Sequence, residues 1–387
     1  MTKRILLSLI LWGGVVFSSW GYDFAQTEEH GQTLYYTITS AVEPYTVKVT
    51  FPNSSAIYGG AAYSGFSKPT GSITIPATVT YEATTYTVTE IDQWAFYACN
   101  GITIVVIPNT ITSIGASLGG ASFYNCKNLE SITIPNSVTL IGDQSFYGCS
   151  NLESISIPNS VSTINRETFK GCTSLTEVNF SNTNLTTIKG GAFANCTSLE
   201  TITIPATVTS IEYNNSSYYN PFYGCTNLTE IIVAEGNTKY NSGDGANCII
   251  EKINSKDCII VGCKGTIIPN TVKTISGYSF YGCDGLETIT IPTGVTSIDG
   301  HAFQGCTSLK SMTIPSTVTS LGTNIFQSCA SLESVIINAS VTSIPNHTFN
   351  TCTSLKSVTI PASVKTIGNS AFYGCSGLTS IVIPSGV

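Results

Sequence analysis

Charge is what this chain has least of. Only 10% of its 387 residues are charged, against about a quarter in ordinary soluble proteins. The 16 basic and 23 acidic residues leave a net charge of −7. No basic patch or stripe is present to neutralise phosphates, so nucleic acid is not an expected partner. Low charge beside 42% apolar residues also argues against a disordered chain. Histidine is almost missing, with only His30, His301 and His347. There is no G-x-S-x-G elbow, no P-loop and no H-E-x-x-H. No enzyme activity, metal or cofactor is therefore expected. No cysteine precedes Cys99, so none can carry a lipid at an amino-terminal cut. After the first residues, no segment is long and apolar enough to span a bilayer.

What is present begins with an export signal at residues 1–21. Lys3 and Arg4 form a basic start, and residues 5–17 are apolar apart from Ser8, Gly13 and Gly14. Ser19 and Gly21 put small residues at −3 and −1 of a cut before Tyr22. The apolar run falls short of the ~20 residues of a membrane helix. The mature chain is expected outside the cytoplasm: secreted, at the cell surface or in a periplasm, with no membrane insertion of its own.

The rest is dominated by a 23-residue period. "SFYGCSNLESISIPNSVSTI" from Ser145 and "AFQGCTSLKSMTIPSTVTSL" from Ser145's counterpart Ala302 share the frame F-x-x-C-x-x-L-x-x-I-x-I-P-x-x-V-x-x-I, with Ser145 and Ala302 each just before the phenylalanine. That phenylalanine recurs at Phe96, Phe123, Phe146, Phe169, Phe193, Phe222, Phe280, Phe303, Phe326, Phe349 and Phe372. A fixed period of 20–50 residues marks a solenoid. Each coil buries its apolar face only against its neighbours, so function is expected on a surface rather than in a pocket. The alternation Leu129, Ile132, Ile134 reads as a strand with one buried face. Equivalent triplets are Leu152, Ile155, Ile157; Leu199, Ile202, Ile204; Leu286, Ile289, Ile291; and Leu355, Val358, Ile360. The proline that follows ends the strand, and V-x-x-I forms a second, returning extended piece. The short stretch up to the cysteine fits a turn or a single helical turn that drops its phenylalanine into the core.

Eleven of the 14 cysteines lie three residues after a repeat phenylalanine, from Cys99 to Cys375. Export normally favours disulfides. Stacked strands are ~4.7–4.9 Å apart, which holds equivalent cysteines parallel, whereas a disulfide wants Cβ atoms ~3.5–4.5 Å apart and turned together. We read an inward ladder of free thiols in preference to bridges, with Cys248, Cys258 and Cys263, outside the ladder, as the better candidates for a single disulfide.

Residues 22–95 differ from the rest. Residues 33–38 and 45–51 alternate like strands, a Gly/Ser/Pro-rich loop follows, and residues 72–79 supply a first imperfect coil, with Ile73, Ile75 and Pro76 in register. An open solenoid end exposes an unpaired edge, so this segment is expected to be an amino-terminal β cap. The solenoid then spans 96–387, with an irregular double coil at 234–279: Phe222 to Phe280 is 58 residues where two repeats take 46. "CIIEK" and "CIIVG" read as a hairpin around residues 254–256, either a tolerated insertion, which we favour, or a site. Asp244 alone is too few oxygens for calcium. The chain stops at "IVIPSGV", midway through a coil, with no distinct carboxyl-terminal cap in view.

L-x-x-I-x-I-P with V-T-S-I-G and A-F-x-x-C resembles the BspA-like leucine-rich repeats of bacterial surface proteins. The resemblance covers roughly 70–387, and extends to the stretches "GQTLYYTI…YTVKVTF" and "NCIIEK…CIIVGCKGTIIPN". It implies a β-rich, curved, right-handed leucine-rich-repeat solenoid displayed outside the cell, binding host matrix proteins or other bacteria. This chain departs from the pattern at Ser181, Ala234 and Asn338, which replace the strand-ending proline, so local bends are expected to differ there.

The open strand face is where binding is expected. Its outward residues are small hydroxyls, among them Thr133, Thr203 and Thr290. Beside them runs a charged column, Glu130, Glu153, Glu200, Glu287, Lys310, Glu333 and Lys356, with Glu177 and Glu230 one residue further along. The amino-terminal half is acidic, while Lys310, Glu333 and Lys356 alternate in sign. Threonine suits strands and charge protects sheets from aggregation, so a merely solvated face is a competing explanation. His301 and His347, just before phenylalanines two repeats apart, should lie ~10 Å apart, too far to share a metal. Three functions fit: a binding module for an extracellular protein or glycan, which we favour; a structural surface protein with no specific ligand; and, least, an array reading an ordered lattice through threonine rows. Oligomeric state is not encoded in any of these features.

Overall fold

The computed structural model describes residues 22–28, 31–53, 62–116, 119–180, 184–213, 220–243 and 245–387. The expected signal, His30, Ser181 and Asp244 lie outside them. The described residues form strands and turns and no helix.

Six strands precede the first regular coil: β1 (Phe24–Thr27), β2 (Thr33–Ser40), β3 (Thr46–Thr50), β4 (Thr70–Thr74), β5 (Thr78–Tyr81) and β6 (Thr84–Ile91). β1, β2 and β3 form an antiparallel meander. β3 then runs parallel to β6, with Thr46 opposite Thr87. β4 runs parallel to β7 (Gly101–Val106) and β6 to β8 (Ser113–Ile114). The same two parallel layers then continue along the chain. Ile104, Val105 and Val106 pair with Ser131, Ile132 and Thr133; on the returning side Ser113 and Ile114 pair with Leu140 and Ile141. The layers are broken into short sheets, and outside the irregular region at 234–290 the register advances one coil at a time.

The phenylalanines fill the core as a stack. Phe123 and Phe146 have ring centroids 5.4 Å apart and planes within 3°; Phe146 and Phe169 repeat this at 5.4 Å and 2°. These rings are buried, so each contributes about 1.5–3 kcal/mol by leaving water. The turn carrying each ring is not helical. Residues two before and two after the phenylalanine have positive φ in the regular coils, as at Gln144 (57°) and Gly148 (69°) around Phe146; Asn220, before Phe222, is an exception. Alternating right- and left-handed residues point every second N–H at the next coil rather than along the chain. The Phe96 N–H donates to Ser122 O (2.8 Å), Phe123 N–H to Ser145 O (2.8 Å) and Phe146 N–H to Thr168 O (2.9 Å). This explains the glycine or asparagine that usually precedes the cysteine, since both tolerate left-handed φ.

All fourteen cysteines are free thiols, Cys248, Cys258 and Cys263 included. The ladder does more than fill space. Cys126 donates its S–H to Phe96 O (3.0 Å), Cys172 to Phe146 O (3.2 Å) and Cys306 to Phe280 O (3.1 Å), each reaching back one coil. Only the final coil opens outward: Phe372 and Cys375 are partly exposed, as nothing described here stacks beyond them.

The irregular region contains the expected hairpin, strands Cys248–Ile253 and Lys256–Gly262, closed by Asn254 and Ser255, both at positive φ. That is the conformation a two-residue turn between twisted strands requires. The hairpin joins two cores. Ile249, Ile260 and Val261 pack with the preceding coils, while Cys248, Ile250 and Ile259 pack with the following ones. Burial on both faces accounts for the unbroken apolar runs in "CIIEK" and "CIIVG". Gly262 backs directly onto Phe280, where a Cβ would come within 2.1 Å of the ring. Cys263 lies close enough to Cys225 and Cys283 that a charge on it would raise both their pKa values.

At Ala234 and Asn338 the strand ends where a proline ends it in other coils. Their strands end at Val233 and Ile337, and the N–H that proline would lack donates to the preceding coil: Ala234 to Ile204 O and Asn338 to Ile314 O, both 2.9 Å. One inward assignment needs correcting. Ile289 is only partly buried, because the strand layer is interrupted there: residues 266–268 and 288–290 form no strand and enclose a cavity of about 310 Å3.

Candidate binding face

The strand face carries the charged column where the spacing places it, because the residue after each leucine turns outward as the leucine turns in. Leu129, Leu152 and Leu199 are buried while Glu130, Glu153 and Glu200 are exposed. Thr133, Thr203 and Thr290 are exposed too, Thr290 on the rim of the 310 Å3 cavity. Backbone hydrogen bonds fix which coils are neighbours. The column runs Thr103 to Glu130, then Glu153 to Thr176 and Glu200 to Thr229, each pair joined by a 2.9 Å N–H···O bond. Glu177 sits opposite Ser154, and Glu230 opposite Thr201. The five carboxylates therefore zigzag between two adjacent columns, and threonine or serine separates most of them from direct contact.

The two halves differ electrostatically. Lys310 Nζ lies 2.6 Å from Glu287 and Lys356 Nζ 2.9 Å from Glu333. The Lys310 hydrogen bond holds the Glu287 carboxyl below the usual carboxylate range. Glu130, Glu153, Glu177, Glu200 and Glu230 have no ion-pair partner among the described residues. Nothing on this face converges as a catalytic group would, and among the described residues no cluster of three or more His, Cys, Asp or Glu is arranged to hold a metal. His301 and His347 stay apart: His301 stacks on Tyr278 at 4.6 Å and faces Gln304, while His347 faces Asn350.

The structure adds features the spacing argument overlooked. Ile104, Val106, Ile232 and Ile336 point outward at positions that other coils give to serine or threonine, and are 40–46% exposed. They give the polar face apolar footholds; the break in the serine/threonine pattern was the available signal. A second feature lies on the turn edge. Tyr97, Tyr124 and Tyr147 stack at 5.1 and 4.5 Å. Burial and its two neighbours push the Tyr124 phenol up to about 12. The Lys170 amine continues the row, 5.5 Å from the Tyr147 ring and 5.4 Å from that of Tyr223, and pairs with Glu167 at 2.5 Å. Small Ala194, in the coil between, leaves Lys170 room to reach Tyr223. The recurrence of tyrosine just after the repeat phenylalanine was the sequence signal for this row.

The repeat pattern of the BspA type Leucine rich repeat region, in six copies, matches residues 45–118, 89–221 and 266–387. The chain belongs to that family. Solved leucine-rich-repeat structures are similar to this chain. A leucine rich cell surface protein from Faecalibacterium prausnitzii shares 28% identity, with 93% of this chain and 94% of that one covered and a TM-score of 0.65. A leucine-rich repeat protein from Bacteroides ovatus shares 28% identity over 90% of this chain and 81% of that one, with a TM-score of 0.57. The pneumococcal vaccine antigen PcpA, at 21% identity, covers 94% and 99% with a TM-score of 0.60 and shows the same fold. No curated protein sequence matches the chain. Among the described residues, no helix of this BspA-type chain is long and apolar enough to cross a membrane.

Proposed function

We propose that this chain is an exported adhesion module whose open strand face holds an extended protein partner rich in lysine or arginine. The contact centres on Glu130, Glu153, Glu177, Glu200 and Glu230, flanked by the hydroxyls of Thr133, Thr203 and Thr290. The observation that carries this reading is the contrast between halves. Glu287 and Glu333 are already neutralised by lysines one coil away, while the five carboxylates of the earlier coils are exposed and unpaired. Unpaired charge of one sign on a face steers and orients a partner of the other sign. Ile104, Val106 and Ile232 supply apolar area in the same region. A solenoid face offers many weak contacts along its length, which suits an extended partner better than a small one. The naming of a 28%-identical structure as a cell surface protein, together with the basic and apolar start of this chain, supports export and display. Residues 22–95 serve as the amino-terminal cap in this reading.

The test is a binding screen of the mature chain against extracellular matrix proteins and a glycan array, repeated with a Glu130→Lys, Glu153→Lys, Glu200→Lys variant. A basic protein partner lost by the variant supports the proposal. Binding confined to glycans, or unchanged by charge reversal, removes the acidic face as the site. The absence of any specific ligand favours a purely structural surface protein. Mass measurement of the exported chain tests the cut before Tyr22.

A further inference from the structure

The hairpin that joins the two cores also lines a concavity away from the strand face. The pairing of the second hairpin strand with Val272–Ile275 begins at Asp257, with a register shift at Asp257/Cys258, so the tip at residues 253–256 lies beyond that pairing. Between the tip and the returning strands lies an open cleft of about 410 Å3, within the size range of small-ligand sites. Its walls include Tyr213, Asn254, Lys256, Thr274, Ser297 and Asp299. Among the described residues the ordinary returning piece is a two-residue strand, without a hairpin beside it.

The chemistry of the lining narrows the ligand. The two charged residues of the lining, Lys256 and Asp299, carry opposite charges, so the lining itself is not built for an ion of one sign. The other polar groups are hydroxyls and an amide, which donate and accept hydrogen bonds equally well. Several are unengaged among the described residues. Asp299 accepts the Ser297 hydroxyl at 2.9 Å through one carboxylate oxygen, and no described donor meets the second; Lys256 Nζ and the Asn254 amide likewise have no side-chain partner there. Tyr213 adds an aromatic surface, and burial, then the neighbouring Glu251 and Cys258, push its phenol up to about 12. The phenol therefore stays protonated and available as a donor. A free carboxylate oxygen, an amine, an amide, hydroxyls and one aromatic ring suit a ligand with an apolar ring face and a rim of neutral hydroxyls.

We propose that this cleft binds a neutral sugar residue, with Asp299, Lys256 and Asn254 taking its hydroxyls and Tyr213 its ring. The site is separate from the acidic strand face and stands whether or not that face binds a protein. It gives the irregular hairpin a role beyond joining two cores.

The test is saturation-transfer NMR on the full mature chain with glucose, galactose, mannose, N-acetylglucosamine and lactose. At least one sugar should show transfer. Asp299→Ala and Lys256→Ala, both at exposed positions, should each weaken that sugar by about tenfold or more, the usual consequence of losing a hydrogen bond to a charged group. The Glu130→Lys, Glu153→Lys, Glu200→Lys variant should leave it unchanged. Absence of transfer from all five sugars overturns the proposal, as does a loss well short of tenfold in variants whose circular dichroism matches the parent. Failure here leaves the protein-binding screen unaffected, and the reverse also holds.

Discussion

The Cys149 thiol lies 3.2 Å from the carbonyl oxygen of Phe123 and donates to it across one coil. The same bond recurs from Cys126 to Cys225 and again from Cys306 to Cys375, so these thiols both fill the core and tie their coils to the ones before. Two consequences can be measured. In folded protein the ladder thiols should resist alkylation at pH 8. In unfolded, unreduced protein all fourteen should titrate; fewer than about half would show that disulfides replace the ladder.

Burial raises these thiols, Cys99, Cys225 and Cys329 to about 12, against about 8.5 in an unfolded chain. Between those values the folded state holds protons that the unfolded state has lost. Stability from this source is complete below pH ~8.5 and declines as pH rises toward the folded values. Each such thiol removes about 1.4 kcal/mol per pH unit in that window. The melting temperature should be level from pH 7 to 8 and fall between pH 8.5 and 9.5. A level or rising profile there would contradict the free-thiol core.

Phe303 is fully buried between two rings, at 4.9 Å from Phe280 and 5.8 Å from Phe326, whereas Phe372 has one stacked neighbour and is partly exposed. Phe303→Ala should cost about 3–5 kcal/mol in denaturant titration. Phe372→Ala should cost less than half of that. Equal losses would mean that the column is not continuous.

Gly262 is constrained by space alone, since its backbone is not among those at positive φ. Gly262→Ala pushes a methyl into the Phe280 ring and should destabilise by about 1–3 kcal/mol, as overpacking does. Adding Phe280→Leu should cost less in this background than in the parent, because the smaller side chain relieves the clash. Additive losses would place the hairpin away from Phe280.

Tyr63 donates its hydroxyl to Ala95 O at 2.6 Å. In later coils the equivalent carbonyl, such as Ser122 O, receives the N–H of the preceding phenylalanine. Tyr63 thus supplies the donor a missing earlier coil would have given. Tyr63→Phe leaves that buried carbonyl unpaired and should cost about 1–3 kcal/mol, lost first at the amino-terminal coils by hydrogen exchange. A silent substitution would argue against a capping role for residues 22–95.

Much of this was legible because stacking demands the same side chain at the same place in every coil. The recurrence of Phe146 and Cys149 at 23 residues located the core columns, and the alternation at Leu129, Ile132 and Ile134 located the strand face. Three things were less legible. The hairpin's two-sided burial was hidden because "CIIVG" reads the same whether it meets one core or two. Helix and turn could not be told apart around Phe146, because the left-handed φ values at Gln144 and Gly148 leave only a weak trace in residue type. The charge column was visible from Glu130 to Lys356, but the choice of Glu287 by Lys310 and Glu333 by Lys356 depends on side-chain reach. The cleft at Asp299 escaped notice because its walls come from segments far apart in the chain.

The central claim is that the acidic half of the strand face, not the neutralised half, recognises a basic protein. The direct measurement compares two variants on one identified partner by surface plasmon resonance: Glu130→Lys, Glu153→Lys, Glu200→Lys against Lys310→Glu, Lys356→Glu. The account predicts a loss of about tenfold or more for the first, diminishing with added salt as exposed charges are screened, and a change within about twofold for the second. Equal effects from the two variants, or none from the first, would contradict it.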